Sequence, residues 1–137
     1  MEKQSNSSLE IQVGGAHYKD MKMQPIELIA QLNLDFFHGN FVKYISRYKN
    51  KNGKQDLEKC LHYIQLREEL IGNPLNGITF RRLSEKVDVR ESVAEYCNIN
   101  DLSPRIYGAI SYFLVERYDL AKEIVQRIIK EEYGTEQ

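Results

Sequence analysis

The stretch KYISRYKNKNGK, residues 43 to 54, carries five positive charges (Lys43, Arg47, Lys49, Lys51 and Lys54) and no negative one, in a chain whose net charge is −1. Tyr44 and Tyr48 are interleaved with these cations. Fixed cations beside aromatic rings suit a phosphorylated ligand with a flat base: the cations take the phosphate, and a ring takes the base. The same pattern also serves a solvated, lysine-rich helix end, which the helix dipole favours. A second group lies upstream, Val13-Gly14-Gly15-Ala16-His17-Tyr18. Gly14 and Gly15 can turn their backbone amides onto an anion as a nest, although a bare Gly-Gly pair is more often just a turn. His17 and Tyr18 stand next to them, able to contact a phosphate or stack on a base; a lone loop histidine is more often structural.

Other phosphate chemistries are excluded by pattern. Gly53-Lys54 is followed by Gln55 with no glycine at the right distance before it, so there is no Walker A loop, and no GxGxxG occurs. Helical pyrophosphatases hold magnesium with carboxylates paired along two helices. Here the segment from Phe36 to Lys49 has no carboxylate at all, and offers cations where that mechanism needs anions. A basic group at Arg81, Arg82, Lys86 and Arg90 hints at a helix-turn-helix, yet residues 71 to 137 hold 9 basic and 11 acidic groups. No helix there shows a base-reading face, so a packing or oligomerisation module is expected instead.

The elements that must position these residues are helical. Pro25 suits the first position of a short helix over 25–32. Phe37, Phe41, Tyr44, Ile45 and Tyr48 recur at three and four, predicting a helix over 36–49 with Asn40, Lys43 and Arg47 on an adjacent stripe. A third helix is predicted over 55–70, with an apolar stripe of Leu57, Cys60 or Leu61, Ile64 and Leu70 and a polar stripe of Asp56, Lys59 and Tyr63. Joined by a short loop, the two helices form an antiparallel hairpin, which brings Lys43 and Arg47 near the early turns of the third helix. His38 reads as a helix start and His62 as surface. Gly72-Asn73-Pro74-Leu75-Asn76-Gly77 marks a boundary. Beyond it, helices are predicted over 80–87, 91–97, 105–115 (after a Ser103-Pro104 cap) and 120–132. Leu9 to Val13 alternates and is open to reading as a short edge strand.

The expected fold is thus mainly α: a helical hairpin core over about 25–70 preceded by the Gly-Gly loop, plus a small carboxyl-terminal helical unit. The organisation reads as a flexible tail (1–12), a core (13–71) and a helical extension (78–137). With 137 residues and 42% hydrophobic content, one domain with a small appendage has enough apolar material for a core. The near-neutral charge argues against a DNA-coating or membrane-surface protein. No apolar run approaches a membrane span, and no signal peptide is read at the start. Cys60 and Cys97 lie far apart and outside any zinc spacing, so reduced buried thiols in an intracellular, cytoplasmic setting are expected. Phe36, Phe37, Phe41, Tyr44 and Tyr48 crowd 13 positions of a hairpin too small to bury them, which predicts a homo-oligomer.

The segments VGGAHYKDMKMQPIE and DFFHGNFVKYISRYKNKNGKQDLEKCLHYI, over about residues 12 to 67, resemble a small phage family described as SaV-like, which includes the nucleotide kinase of a short-tailed coliphage. The matching positions are Gly14, Gly15, His17, Tyr18, Gln24, Pro25, Asn40, Lys43, Tyr44, Arg47, Lys49, Lys51, Gly53, Asp56 and Lys59. The resemblance implies a deoxynucleoside monophosphate kinase without a P-loop, taking phosphate from a nucleoside triphosphate such as ATP; it does not assign individual roles. On the residues themselves, Lys43 and Arg47 would hold phosphates, with Lys49 and Lys51 supporting from the loop and Gly14, Gly15, Asn40 and Lys59 completing the pocket. Tyr44 or Tyr18 would contact the base. Asp56 would orient Lys43 or Arg47, or accept the acceptor's proton, with His17 a further catalytic candidate and no metal ligand identified. The other expectation is a non-catalytic binder that sequesters a nucleotide, including an immune signal, or binds a host protein; nucleic acid and membrane partners are not expected.

Overall fold

Each amino-terminal helix starts at a residue able to satisfy its orphan amides. The Glu27 carboxylate accepts from the Gln24 amide at 2.7 Å, and Pro25 occupies the first helical position. Asp35 accepts from the His38 amide at 2.9 Å and opens the next helix. Between them Asn33 adopts a left-handed conformation (φ 54°), and the Leu34 amide reaches back to the Ile29 carbonyl at 3.0 Å, which closes the first helix. Ser103 and Pro104 do the same work further along, with the Ser103 hydroxyl accepting from the Ile106 amide at 3.4 Å.

In this computed structural model, which describes residues 8–10, 21–72 and 89–134, these signals give six α-helices. They are α1 (Pro25–Leu32), α2 (Phe36–Arg47), α3 (Lys54–Leu70), α4 (Val89–Ile99), α5 (Pro104–Leu114) and α6 (Tyr118–Tyr133). Short 3₁₀ turns lie at Ser8–Glu10 and Tyr48–Asn50. Among the described residues there is no strand, and the fold is mainly α. No described helix is long and apolar enough to cross a membrane. Three sequence readings fall partly or wholly elsewhere. The helix predicted over 80–87 lies outside the described residues. The strand reading fails over 8–10, which turn as 3₁₀, and residues 11–13 lie outside. Of the tail read over 1–12 only residues 8–10 are described; there the Leu9 carbonyl accepts a hydrogen bond from the side-chain amide of buried Gln24.

The helices form two layers in matched order. α2 packs between α1 and α3, and α5 packs between α4 and α6; across the layers α1 meets α4, α2 meets α5 and α3 meets α6. One core of buried side chains runs through both layers, including Leu28, Phe41, Ile45, Tyr48, Leu57 and Ile64 from the first and Tyr96, Ile110, Phe113 and Ile128 from the second. The crowded aromatics of α2 are accordingly served in part by the chain itself. Phe41 packs on Phe113 at 4.8 Å, and the Tyr48 hydroxyl donates to Glu132 at 3.0 Å. Leu70, expected in the apolar stripe of α3, is instead 67% exposed, because the apolar stripe ends with Ile64 and the inward position of the last turn is taken by Arg67. Cys60 and Cys97 are free and buried; burial pushes the Cys97 thiol up to about 12, and both remain protonated thiols.

A buried charge network joins the layers at the open end of the α2–α3 hairpin. His38, read from sequence as a helix start, is buried with its Nε2 3.0 Å from Glu116 Oε1. Arg67 donates to both Glu116 oxygens at 2.9 Å and also pairs with Asp35. The Tyr118 hydroxyl donates to Glu116 at 3.1 Å, and Glu116 itself sits at φ 66° in the α5–α6 turn. Burial pushes the Glu116 carboxyl up, but the hydrogen bonds from His38 and Arg67 outweigh it and hold the carboxyl below its ordinary value. Since the unfolded chain then binds more protons, stability rises with pH through this window. The contribution is complete above the ordinary glutamate range, about 4.3, and is lost as pH falls through the lower folded value. In urea unfolding, Glu116→Gln is expected to lower stability at neutral pH by about 1–3 kcal/mol. The gap to the parent should narrow toward pH of about 3; a gap independent of pH would contradict this account.

Candidate functional site

Helical periodicity builds the site from two facing stripes. On α2, Phe36, Asn40, Tyr44 and Arg47 follow one another at four, four and three residues; on α3, Asp56, Lys59 and Tyr63 follow at three and four. The antiparallel hairpin sets Arg47 opposite Asp56, Tyr44 opposite Lys59 and Tyr63, and Phe36 opposite Tyr63.

At the turn end, Arg47 Nε donates to Asp56 Oδ2 at 3.2 Å and a terminal nitrogen donates to Oδ1 at 3.3 Å. Asp56 is fully buried and Arg47 nearly so. The Asn52 amide also donates to Asp56 Oδ2 at 3.3 Å, so one carboxylate fixes both the arginine and the turn. The turn itself requires glycine at 53. Its φ is +53°, and a Cβ there would meet the Tyr133 hydroxyl at 3.1 Å.

Three cations converge on one ring. Lys43 Nζ lies 4.5 Å, Arg47 Cζ 4.7 Å and Lys59 Nζ 4.9 Å from the Tyr44 centroid. The three charges therefore sit within about one Debye length, roughly 8–10 Å at physiological salt, where like charges repel. The quadrupole of the ring offsets part of that repulsion. Asp56 neutralises Arg47, whereas neither the Lys43 nor the Lys59 ammonium pairs with a carboxylate among the described residues. The Tyr44 ring lies nearly parallel to Tyr63 at 6.0 Å, and Tyr63 meets Phe36 edge-on at 5.9 Å. Burial and the adjoining Tyr44 push the Tyr63 phenol up, so it stays a neutral donor. Arg47 also lines a cavity of ≈ 270 Å³ with Met21, Lys22, Ser46, Asn100 and Asp101. The Asn100 side chain fixes one wall by bonding the Met23 amide and carbonyl at 3.1 and 2.7 Å.

Among the sequence candidates the structure thus brings together Lys43, Tyr44, Arg47, Asp56 and Lys59. Asn40 lies on the same stripe, with its amide donating to the Phe36 carbonyl at 2.8 Å. Lys49 and Lys51 stand exposed on the turn, away from the ring contacts. Gly14, Gly15, His17 and Tyr18 lie outside the described residues. Asp56 orients Arg47 and not Lys43, which sits a turn back toward the middle of the helix. Sequence reasoning put Tyr63 on the polar stripe with Asp56 and Lys59 but joined neither it nor Phe36 to the site. The signal was present in the spacing, since each continues a polar stripe by one helical turn. No group of three or more His, Cys, Asp or Glu able to hold a metal occurs among the described residues.

A family described as a protein of unknown function (DUF3310) matches residues 13–65. That interval contains both stripes and the whole cation cluster, and none of α4 to α6. Neither the curated proteins nor the solved structures give a match.

Removing one partner of a buried ion pair strands the other charge. Asp56→Ala is therefore expected to destabilise the fold by about 3–5 kcal/mol in urea or thermal unfolding. Lys43→Ala and Lys59→Ala should each shift stability by no more than about 0.5 kcal/mol. A large loss at either lysine would show that the cluster serves the fold instead of a ligand.

Proposed function

We propose that this protein binds a nucleotide through its phosphate at Lys43, Arg47 and Lys59, and that it transfers a phosphoryl group from a nucleoside triphosphate to a deoxynucleoside monophosphate. The observation that carries the reading is the convergence of three cations on Tyr44, two of them without a carboxylate partner among the described residues. Such a cluster is repulsive when empty and is relieved by a multivalent anion. Phosphoryl transfer needs little covalent chemistry from the protein. It rests on positioning and on neutralising charge around the transferred group, which fixed cations supply. The terminal phosphoryl would leave the triphosphate and join an oxygen of the monophosphate, giving two diphosphates. Resemblance of residues 12 to 67 to the SaV-like phage family supports the same chemistry.

A second reading, binding without turnover, is favoured by one observation. Asp56, the carboxylate of the constellation, is fully buried and engaged by Arg47 and Asn52, so it is badly placed to accept a proton from an acceptor. A binder with this pocket would sequester a nucleotide.

Purified protein incubated with ATP and each deoxynucleoside monophosphate, with products separated chromatographically, is expected to yield a diphosphate from at least one. Calorimetry on the same sample decides between the readings: heat of binding with no diphosphate leaves the binder alone. The Lys43→Ala/Lys59→Ala variant should lose both signals while unfolding normally. Substitution of Arg47 is unsuitable for this purpose, because it would strand Asp56 inside the core.

A further inference from the structure

The face that α2 and α3 present together has two chemically different ends, and the difference orients a ligand. One end is cationic, around Tyr44; the other is aromatic and open. Phe36 is 71% exposed, the most exposed large apolar side chain among the described residues. Its neighbour Phe37 is turned the other way, half-buried with the Arg67 guanidinium over it at 5.7 Å. The fold therefore had an inward aromatic position at this point and still carries a second ring outward. That outward ring is not isolated. It touches Tyr63 at 5.9 Å, Tyr63 lies against Tyr44 at 6.0 Å, and Tyr44 carries the cations. Phe36, Tyr63 and Tyr44 thus make a continuous aromatic path that ends at Lys43, Arg47 and Lys59.

We infer that this face holds a single nucleotide in one orientation, with the base on Phe36 and Tyr63 and the phosphate among Lys43, Lys59 and Arg47, an inference that rests on the phosphate reading above. Tyr44, whose ring is already surrounded by three cations and lies along Tyr63, then serves the phosphate end, and the base contact belongs to Phe36. The ligand class narrows accordingly. Inorganic phosphates and sugar phosphates would fill the cationic end only, while a nucleoside without phosphate would fill the aromatic end only. One platform joined to one cation cluster fits a mononucleotide. A single strand of nucleic acid needs platforms and cations repeated along its length.

The chain contains no tryptophan, so Phe36→Trp introduces a sole indole at the exposed position. Its emission is expected to be quenched on adding a deoxynucleoside monophosphate and left unchanged by pyrophosphate. Phe36→Ala and Tyr63→Leu should each weaken mononucleotide binding roughly tenfold or more, the size that aromatic stacking on a base supplies. Both variants should keep the affinity of the parent for pyrophosphate, whereas Lys43→Ala/Lys59→Ala should lose both ligands. Full mononucleotide affinity in Phe36→Ala, with pyrophosphate still bound, would overturn the orientation and leave the phosphate reading standing. Absence of binding by both ligands to the parent protein would overturn the phosphate reading itself. Indole emission that follows protein concentration and ignores nucleotide would overturn the orientation and assign Phe36 to a contact between copies. Tighter binding to an oligonucleotide, falling steeply with salt, would overturn the choice of a mononucleotide.

Discussion

The arrangement of the basic stretch depends on one buried ion pair, Arg47 with Asp56. A guanidinium in a low-dielectric setting is tolerable only beside a carboxylate that meets it with good geometry. Here the carboxylate is fully buried and accepts from two of the guanidinium's nitrogens. That pair fixes the last turn of α2 against the first turn of α3. It also accepts the Asn52 amide and so shapes the basic turn. With Arg47 held in place, its guanidinium has a set position over Tyr44, and the two lysines complete the ring of charge. A surface cluster of three cations without such an anchor would splay into solvent.

The hairpin has a counterpart at its other end. Arg67 there pairs with Asp35 and Glu116, and Glu116 in turn meets His38 and Tyr118. The two ends differ in what they join. The Arg47 pair lies within the hairpin, between α2 and α3. The Arg67 network reaches out of it to the α5–α6 turn, and so locks the two layers. Charge inside this protein therefore does two separate jobs, one local to the hairpin and one across the fold. Both jobs use arginine, whose planar donors can meet two oxygens at once.

The hairpin was legible because its signals are local. Spacing at three and four over Phe37 to Tyr48 and over Leu57 to Ile64, with Asn52-Gly53 between, leaves little freedom in topology. The contact of Arg47 with Asp56 followed from that topology, since an antiparallel pair must oppose the end of one helix to the start of the next. What was not legible depended on side chains brought together over long separations. His38 looked like a helix start because its partner, Glu116, lies 78 residues away. The apolar stripe took in Phe37 and left out Phe36, but the sequence did not show that Phe36 meets Tyr63 on the facing helix while Phe37 lies under Arg67. Leu70 carried the right spacing for the core and lies beyond where the core reaches. The roles of Gly14, Gly15, His17 and Tyr18 rest on the sequence alone.

The layering has a consequence for how modular this chemistry is. The matched interval 13–65 carries both stripes and the cation cluster, yet it stops short of Arg67 and of the helices that cover Phe41 and Tyr48. Gly53, at the heart of the basic turn, sits beneath Tyr133 near the far end of α6. The stretch that carries the cation cluster and the stretch that holds it folded are thus different lengths of chain. Cut out on its own, the matched interval would keep its charges and lose the surface they stand on. A chain limited to that interval would have to cover Phe41 and Tyr48 some other way, whether with a different extension or with another subunit.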